Sequence, residues 1–248
     1  CSPVLLVVMK AIDLFAGAGG FSTGAVQAGC EVLWAANHWP AAIAAHSANH
    51  PDTVHLCQDL HQADWTKVPA HDLLLGSPSC QGFSRARGTH QPRHDVARST
   101  AWAVVSAVEC HRPPVALVEN VPEFQKWALF PAWSAAMQAL GYSVSPHVVD
   151  AADCGVPQHR VRLFVVLTKS KAPLILDLPK KPHVAARSVI DFNVGKWSLI
   201  DRPGRSKKTL MRVKAGRERF GERFLVAYYG SVKGGRSLDN GLFDTTTL

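Results

Sequence analysis

Short apolar runs and amphipathic stretches take turns along the first two thirds of the chain, with glycine or proline between them. Lys10–Phe15 predicts a short apolar strand, and Ala16-Gly-Ala-Gly-Gly20 the turn into a helix over Phe21–Ala28, ended by Gly29. Glu31–Ala36 reads as a second strand, followed by a helix over Pro40–Asn49 with proline in its first turn. Val54–Leu56 and Asp72–Leu75 are the third and fourth strands, the latter closed by Gly76. A helix over Asp95–His111, a strand over Val115–Val118 and an amphipathic helix over Phe130–Leu140 come next. Tyr142–Val149 and Arg162–Thr168 are further runs of strand length. This alternation predicts an α/β fold on a doubly wound, mostly parallel sheet.

After Thr168 the periodicity stops. Residues 9–168 read as one domain, 169–186 as a linker rich in proline and lysine, and 187–248 as a small, irregular, turn-rich module. Charge follows the same division. Residues 1–167 carry ten basic against twelve acidic side chains, and residues 168–248 seventeen against seven. The second part is either a solvated basic face or a surface for phosphates.

Composition narrows the classes. With 47% hydrophobic residues the chain can bury a sizeable core, and no apolar run approaches the ~18 residues of a membrane span. The six cysteines form no CxxC pair, which argues for reduced thiols in a cytosolic protein. Twelve histidines are scattered without cysteines at finger spacing, so no metal is expected. Cys1–Val8 precedes Met9 as an upstream extension, and nothing in it points to export.

One stretch carries candidate chemistry: Gly76-Ser-Pro-Ser-Cys80-Gln-Gly-Phe-Ser84, directly after the fourth strand. Cys80 is either an ordinary small buried residue or a thiol held at the edge where parallel α/β sheets bind ligands. Upstream lies a glycine-rich loop, downstream Val118-Glu-Asn-Val121 and Gln158-His-Arg160-Val-Arg162. The loop, Gly17-Ala-Gly19-Gly20, sits between a strand and a helix as phosphate-binding loops do. A dinucleotide fingerprint would want glycine where Ser22 stands and an acid where Asn37-His38 stands.

At these residues the chain resembles the cytosine-5 DNA methyltransferases, whose nucleophile motif reads Pro-Pro-Cys-Gln; here the second proline is Ser79. The run Asp13-Leu-Phe-Ala-Gly-Ala-Gly-Gly-Phe-Ser22 looks like that family's S-adenosylmethionine loop. The resemblance spans Lys10–Leu167 with the motifs in order, and implies a Rossmann-like methyltransferase sheet. It implies that Phe15 lies against the adenine, that Gly17, Gly19 and Gly20 flank the methionine portion, and that Pro78 borders the cofactor. Asp59 corresponds to the acceptor for the adenine amino group, the alternative being a turn cap. His38 stands where the family commonly has a carboxylate for the ribose, and Trp39 at the apolar position beside it.

The implied reaction follows from the ring. Cytosine C5 is a poor nucleophile until a thiolate adds at C6, a role that falls to Cys80. Glu119, ending a buried strand, is the expected proton donor to N3, desolvated so as to stay protonated. Asn120 is expected to fix the local turn. Arg160 and Arg162 enter a strand two apart, so alternation sends both to one side; the resemblance gives Arg162 the base and Arg160 the neighbouring loop. Arg85, Arg87 and Arg93 suit phosphates near an extruded nucleotide.

The resemblance makes residues 187–248 part of a target-recognition region on double-stranded DNA, with Lys207, Lys208 and Arg212 on phosphates. The family's closing arginine-bearing helix and Gly-Asn motif do not follow Leu238–Leu248. The expectation is therefore a truncated chain, or one half of a split enzyme whose second polypeptide supplies them, with weak cofactor binding, or none, by itself. Two rival readings stay open: a silent DNA-binding remnant, and an RNA cytosine-5 methyltransferase. A cytoplasmic protein of bacterial or phage origin, at the nucleoid when on DNA, completes the expectation.

Overall fold

The computed structural model describes residues 8–79, 92–170, 172–178, 180–196, 198–226 and 236–239, with 92–98 by backbone alone. Seven strands form one sheet in the order β3-β2-β1-β4-β5-β7-β6. They are β1 (Lys10–Leu14), β2 (Glu31–Asn37), β3 (Val54–Cys57), β4 (Leu73–Gly76), β5 (Val115–Asn120), β6 (Ser143–Asp150) and β7 (Val161–Thr168). The helices are α1 (Gly20–Gln27), α2 (Pro40–Asn49), α3 (Pro92–His111), α4 (Phe130–Ala139) and α5 (Lys207–Phe220). β1 to β5 pair in parallel, and β7 runs antiparallel to β5. The expected α/β sheet is present.

The strands read as apolar because both faces of the sheet are covered. On one face Ile12, Leu14, Trp34, Leu74, Ala116 and Val118 pack with the buried residues of α3 and α4. On the other, Ala11, Val32, Leu73 and Leu75 pack with Ala25 of α1. Alternation along β1 therefore sends Asp13 to the α1 face. It is fully buried there.

Chain order reverses between β1 and β4, since β1 leads outward to β2 and β3 while β4 leads to β5. Ligands of open α/β sheets bind at such a switch point, beyond the carboxyl ends of the strands. The glycine loop leaves β1 at that point, and the segment leading to Cys80 leaves β4.

The chain divides into two compact units, residues 1–148 with 162–176, and residues 149–161 with 177–248. Within the second, α5 is a departure from the irregular chain expected there. Thr209, Val213 and Gly216 make its buried stripe at helical spacing, while Lys207, Lys208, Lys214, Arg217 and Arg219 are exposed. Only one of those three buried residues is conventionally apolar, so the stripe has little hydropathy contrast. Among the described residues no helix is long and apolar enough to cross a membrane.

Candidate active site

The loop after β1 is built from left-handed backbone. Phe15 has φ of 61°, Gly17 of 54° and Gly19 of 94°. A non-glycine residue there is strained, and such strain concentrates at functional sites. Phe15 is half-buried against the core, which holds it in place. Gly19 is required twice over, by its φ and because a Cβ would lie 2.7 Å from the His50 ring. At Gly17 and Gly20 a Cβ would meet nothing within 4 Å, so their backbone borders open space at the N-terminus of α1. A loop of bare backbone over an open cleft fits a ligand that needs close approach.

The next residues expected at the cofactor lie along the same edge. Asn37 ends β2, and its Oδ1 accepts the Trp39 N–H at 3.0 Å, which turns the chain into α2. His38 and Trp39 are exposed, Trp39 by 62%. Asp59 follows β3 and accepts the His61 N–H at 3.0 Å and His61 Nδ1 at 2.9 Å. Those bonds, the backbone one foremost, hold its carboxyl below the usual carboxylate range. Asp59 thus caps a turn and also remains available at the surface. His38 is near enough to add to that effect.

The segment from β4 toward Cys80 is tied down on three sides. Ser77 N–H donates to the Leu14 carbonyl of β1 at 3.0 Å. Asn120 Nδ2 donates to the Pro78 carbonyl at 3.0 Å, and Ser79 N–H donates to Thr100 Oγ1 of α3 at 3.0 Å. Asn120 is buried, and its Oδ1 also accepts the Val121 N–H at 2.9 Å. That amide fixes the turn, as expected, and fastens β5 to the residue two before Cys80. Cys80, Arg85 and Arg87 lie outside the described residues, as does the Arg93 side chain.

Glu119, beside Asn120, meets Arg162: Nε lies 3.1 Å from Oε1, with the arginine 5% and the carboxylate 22% exposed. The pairing of β5 with β7 sets Glu119 against Phe164, so an arginine two residues earlier on β7 reaches it. The desolvated acid expected here has a charged partner in Arg162. β7 begins at Val161, so the alternation argument holds for Arg162 alone. Arg160 precedes the strand and is exposed; its N–H donates to Asp150 and its carbonyl accepts from Ala151. Among the described residues no group of three or more His, Cys, Asp or Glu is disposed to hold a metal ion.

Residues 9–198 match the family model described as C-5 cytosine-specific DNA methylase. The chain belongs to the C-5 cytosine-specific DNA methylase family. It is 38% identical over 208 residues to the Type II methyltransferase M.AgeI of Thalassovita gelatinovora, covering 79% of this chain and 47% of that relative. It is 33% identical over 191 residues to M.HindV of Haemophilus influenzae, covering 74% of this chain and 62% of that relative. The chain thus spans about half the length of the curated relatives it matches. Among solved structures, a Spodoptera frugiperda DNMT2 mutant superposes with a TM-score of 0.63 at 19% identity, covering 75% of this chain and 61% of that one. That likeness speaks to the fold, a Rossmann-like methyltransferase sheet.

Two parts of the site escape sequence reasoning. Thr100 as the anchor of Ser79 has no motif. Ser22, read as a missing glycine, is a buried hydroxyl between Asp13 and His46.

Proposed function

We propose that this chain transfers a methyl group from S-adenosylmethionine to C5 of cytosine in DNA through a covalent adduct on Cys80. The observation that carries the reading is the Asn120 amide, which joins the strand bearing Glu119 to the segment that enters Cys80. A thiol and a carboxyl delivered from adjacent strand ends suit the two sides of one pyrimidine. S-adenosylmethionine, when bound, supplies an electrophilic methyl group. Phe15, Gly17, Gly19, Gly20, Trp39, Asp59 and Pro78 would hold it, with His38 offering a single hydrogen bond toward the ribose.

Cys80, as thiolate, adds to C6 of an extruded cytosine while Glu119 gives a proton to N3. Arg162 holds Glu119 in register and lies on the side from which the ring would be gripped. The enamine so formed is methylated at C5; loss of the C5 proton and of the Cys80 thiolate then frees the product. Arg160 braces the neighbouring loop. The exposed lysines and arginines of α5 suit sequence-independent phosphate contacts on duplex DNA. Because the relatives run well beyond the matched stretch, the segments they carry there, on the same polypeptide or a second one, belong to the proposed activity. A role beside a restriction enzyme in bacterial cytoplasm accords with the Type II names of the relatives, and a place at the nucleoid would follow from the proposed DNA substrate.

The test is covalent trapping. A pool of duplexes with 5-fluorocytosine in place of cytosine blocks loss of the C5 substituent. With S-adenosylmethionine it should yield an adduct that maps to Cys80 and is absent in Cys80→Ser. Transfer RNA carrying the same base should yield none. The absence of any adduct, with or without the relatives' additional segments, would overturn the reading.

A further inference from the structure

Beneath the glycine loop runs a chain of side-chain hydrogen bonds that the reaction above does not use. Ser22 Oγ lies 2.7 Å from Asp13 Oδ2 and 3.0 Å from His46 Nε2, and His46 Nδ1 lies 2.8 Å from His55 Nε2. Asp13, Ser22 and His46 are fully buried, whereas His55 on β3 is partly exposed. The chain therefore has an inner end and an outer end. Asp13 and Ser22 stand on the two flanks of the loop.

Each link holds one hydrogen and can point either way. With Asp13 ionised, His55 Nε2 donates to His46 Nδ1, His46 Nε2 to Ser22, and Ser22 to Asp13. With Asp13 protonated, every link reverses: Asp13 donates to Ser22, Ser22 to His46 Nε2, and His46 Nδ1 to His55 Nε2. The hydrogen left over then sits on His55 Nδ1. The second arrangement is the first plus one proton taken up at the outer nitrogen, and both imidazoles stay neutral in each.

The ionisation of the two buried groups agrees with this. Burial foremost, then the charges of His50 and His55, pushes His46 down to about 4. Burial pushes the Asp13 carboxyl up to about 7 against the Ser22 hydrogen bonds. Near neutrality the exchangeable proton thus belongs to Asp13. Although His46 Nε2 is 3.9 Å from Asp13 Oδ2, the contact is not an ion pair, since a neutral imidazole faces the carboxyl through Ser22.

Among the described residues, no second carboxyl stands in register with Asp13 on its neighbouring strands. α1 has no ionisable side chain, and the residues registered with Asp13 on β2 and β4 are Ala35 and Leu75. α2 and its cap supply His46 and His50; β3 supplies His55 and Cys57. His50 Nε2 lies 3.1 Å from the Gly19 carbonyl and from Thr23 Oγ1, so its hydrogen bonding runs to the loop and α1 and not along the relay. The Cys57 thiol is directed to the His38 carbonyl.

We infer that Asp13–Ser22–His46–His55 is a proton relay that sets the charge beneath the loop, its ionised state favouring the cationic sulfonium donor over the neutral thioether product. The inference rests on the reading of the loop as the S-adenosylmethionine site. A buried negative charge stabilises a ligand with an added positive charge and does little for a neutral one. Binding the sulfonium compound therefore expels the Asp13 proton through His55, and binding the thioether does not. These are positioning residues; none of them touches the reacting atoms.

Histidine tautomers read by nitrogen NMR test the relay without any ligand. Between pH 5.5 and 8.5, His46 should exchange its ring hydrogen between Nε2 and Nδ1 and remain neutral. Ser22→Ala should hold it in one tautomer, and so should His55→Phe, which cuts the outer end. A single tautomer in the wild-type chain, or an imidazolium at His46, would overturn the relay. Calorimetry at pH 7 in buffers of different ionisation enthalpy tests its use. S-adenosylmethionine should release a proton on binding, S-adenosylhomocysteine none, and Asp13→Asn should lose the release. Equal proton exchange for both ligands overturns the inference and leaves the cofactor reading standing. Binding of neither ligand, with the relatives' additional segments supplied and the tautomers still exchanging, overturns the cofactor reading and the ligand half of the inference together.

Discussion

The two sides of the switch point are fastened by opposite electrostatics. On the side of β1, β2 and β3, the loop is held by neutral groups: a hydroxyl, two imidazoles without charge, and a carboxyl raised to about 7. On the side of β4, β5 and β7, a buried guanidinium meets a carboxylate, with an amide beside them. The neutral side can gain or lose a proton without leaving a link unmade. On the charged side Arg162 keeps its charge at any ordinary pH, so any proton Glu119 takes up or gives is set against a fixed positive neighbour. One side is suited to exchanging ligands of different charge, the other to gripping one ring the same way each time.

The largest effect should come from breaking the charged side. Arg162→Ala leaves Glu119 without its buried partner and should cost about 3–5 kcal/mol, read from denaturant midpoints. Replacing both members, Glu119→Gln with Arg162→Met, should restore most of that stability and still abolish methyl transfer. A restored activity would remove Glu119 from the reaction. On the neutral side, Gly19→Ala forces an alanine into left-handed backbone and against His50, at a cost of about 2 kcal/mol or more. Asn120→Ala unpairs the Pro78 carbonyl and should cost about 1–2 kcal/mol, while slowing adduct formation at Cys80.

The effect that is most gradual, and the sharpest for the comparison, concerns pH. Asp13 titrates about 7 when folded against an ordinary 3.8, and His46 about 4 against 6.5. Between those limits the folded chain holds a proton on Asp13 and the unfolded chain holds one on His46, so uptake matches and this pair leaves stability flat. Asp13→Asn removes the folded-state proton. The unfolded chain then binds more protons, and stability should fall as pH drops from 6.5 toward 4, by about 1 kcal/mol per pH unit. Thermal midpoints of the two proteins across that range check it; parallel curves would break the contrast between the two sides.

The strands were legible because the sheet is covered on both faces, so β4 appears as a continuous apolar run and β1, β2 and β5 as mostly apolar ones, β1 interrupted by Asp13. The glycine loop was legible because the positive φ at Gly17 and Gly19 leaves few residue types to choose from. α5 was not, since small residues form its buried stripe and charge dominates the rest. The pairs that hold the site were invisible for another reason. Ser22 meets His46 only when α1 and α2 pack on the same face, and Glu119 meets Arg162 only once β5 and β7 are neighbours. Arg160 shows the limit of reasoning from spacing, because the strand starts one residue too late to include it.

The antiparallel pairing of β7 with β5 has a use. β5 ends where β7 begins, so a residue early in one strand faces a residue late in the other. Were β7 parallel to its neighbour, Arg162 would enter at the opposite rim, some 20 Å of strand away at about 3.3 Å per residue. The polypeptide between Asn120 and Val161 could then be lengthened or re-routed at will without moving the ion pair, provided that β7 still arrives upside down.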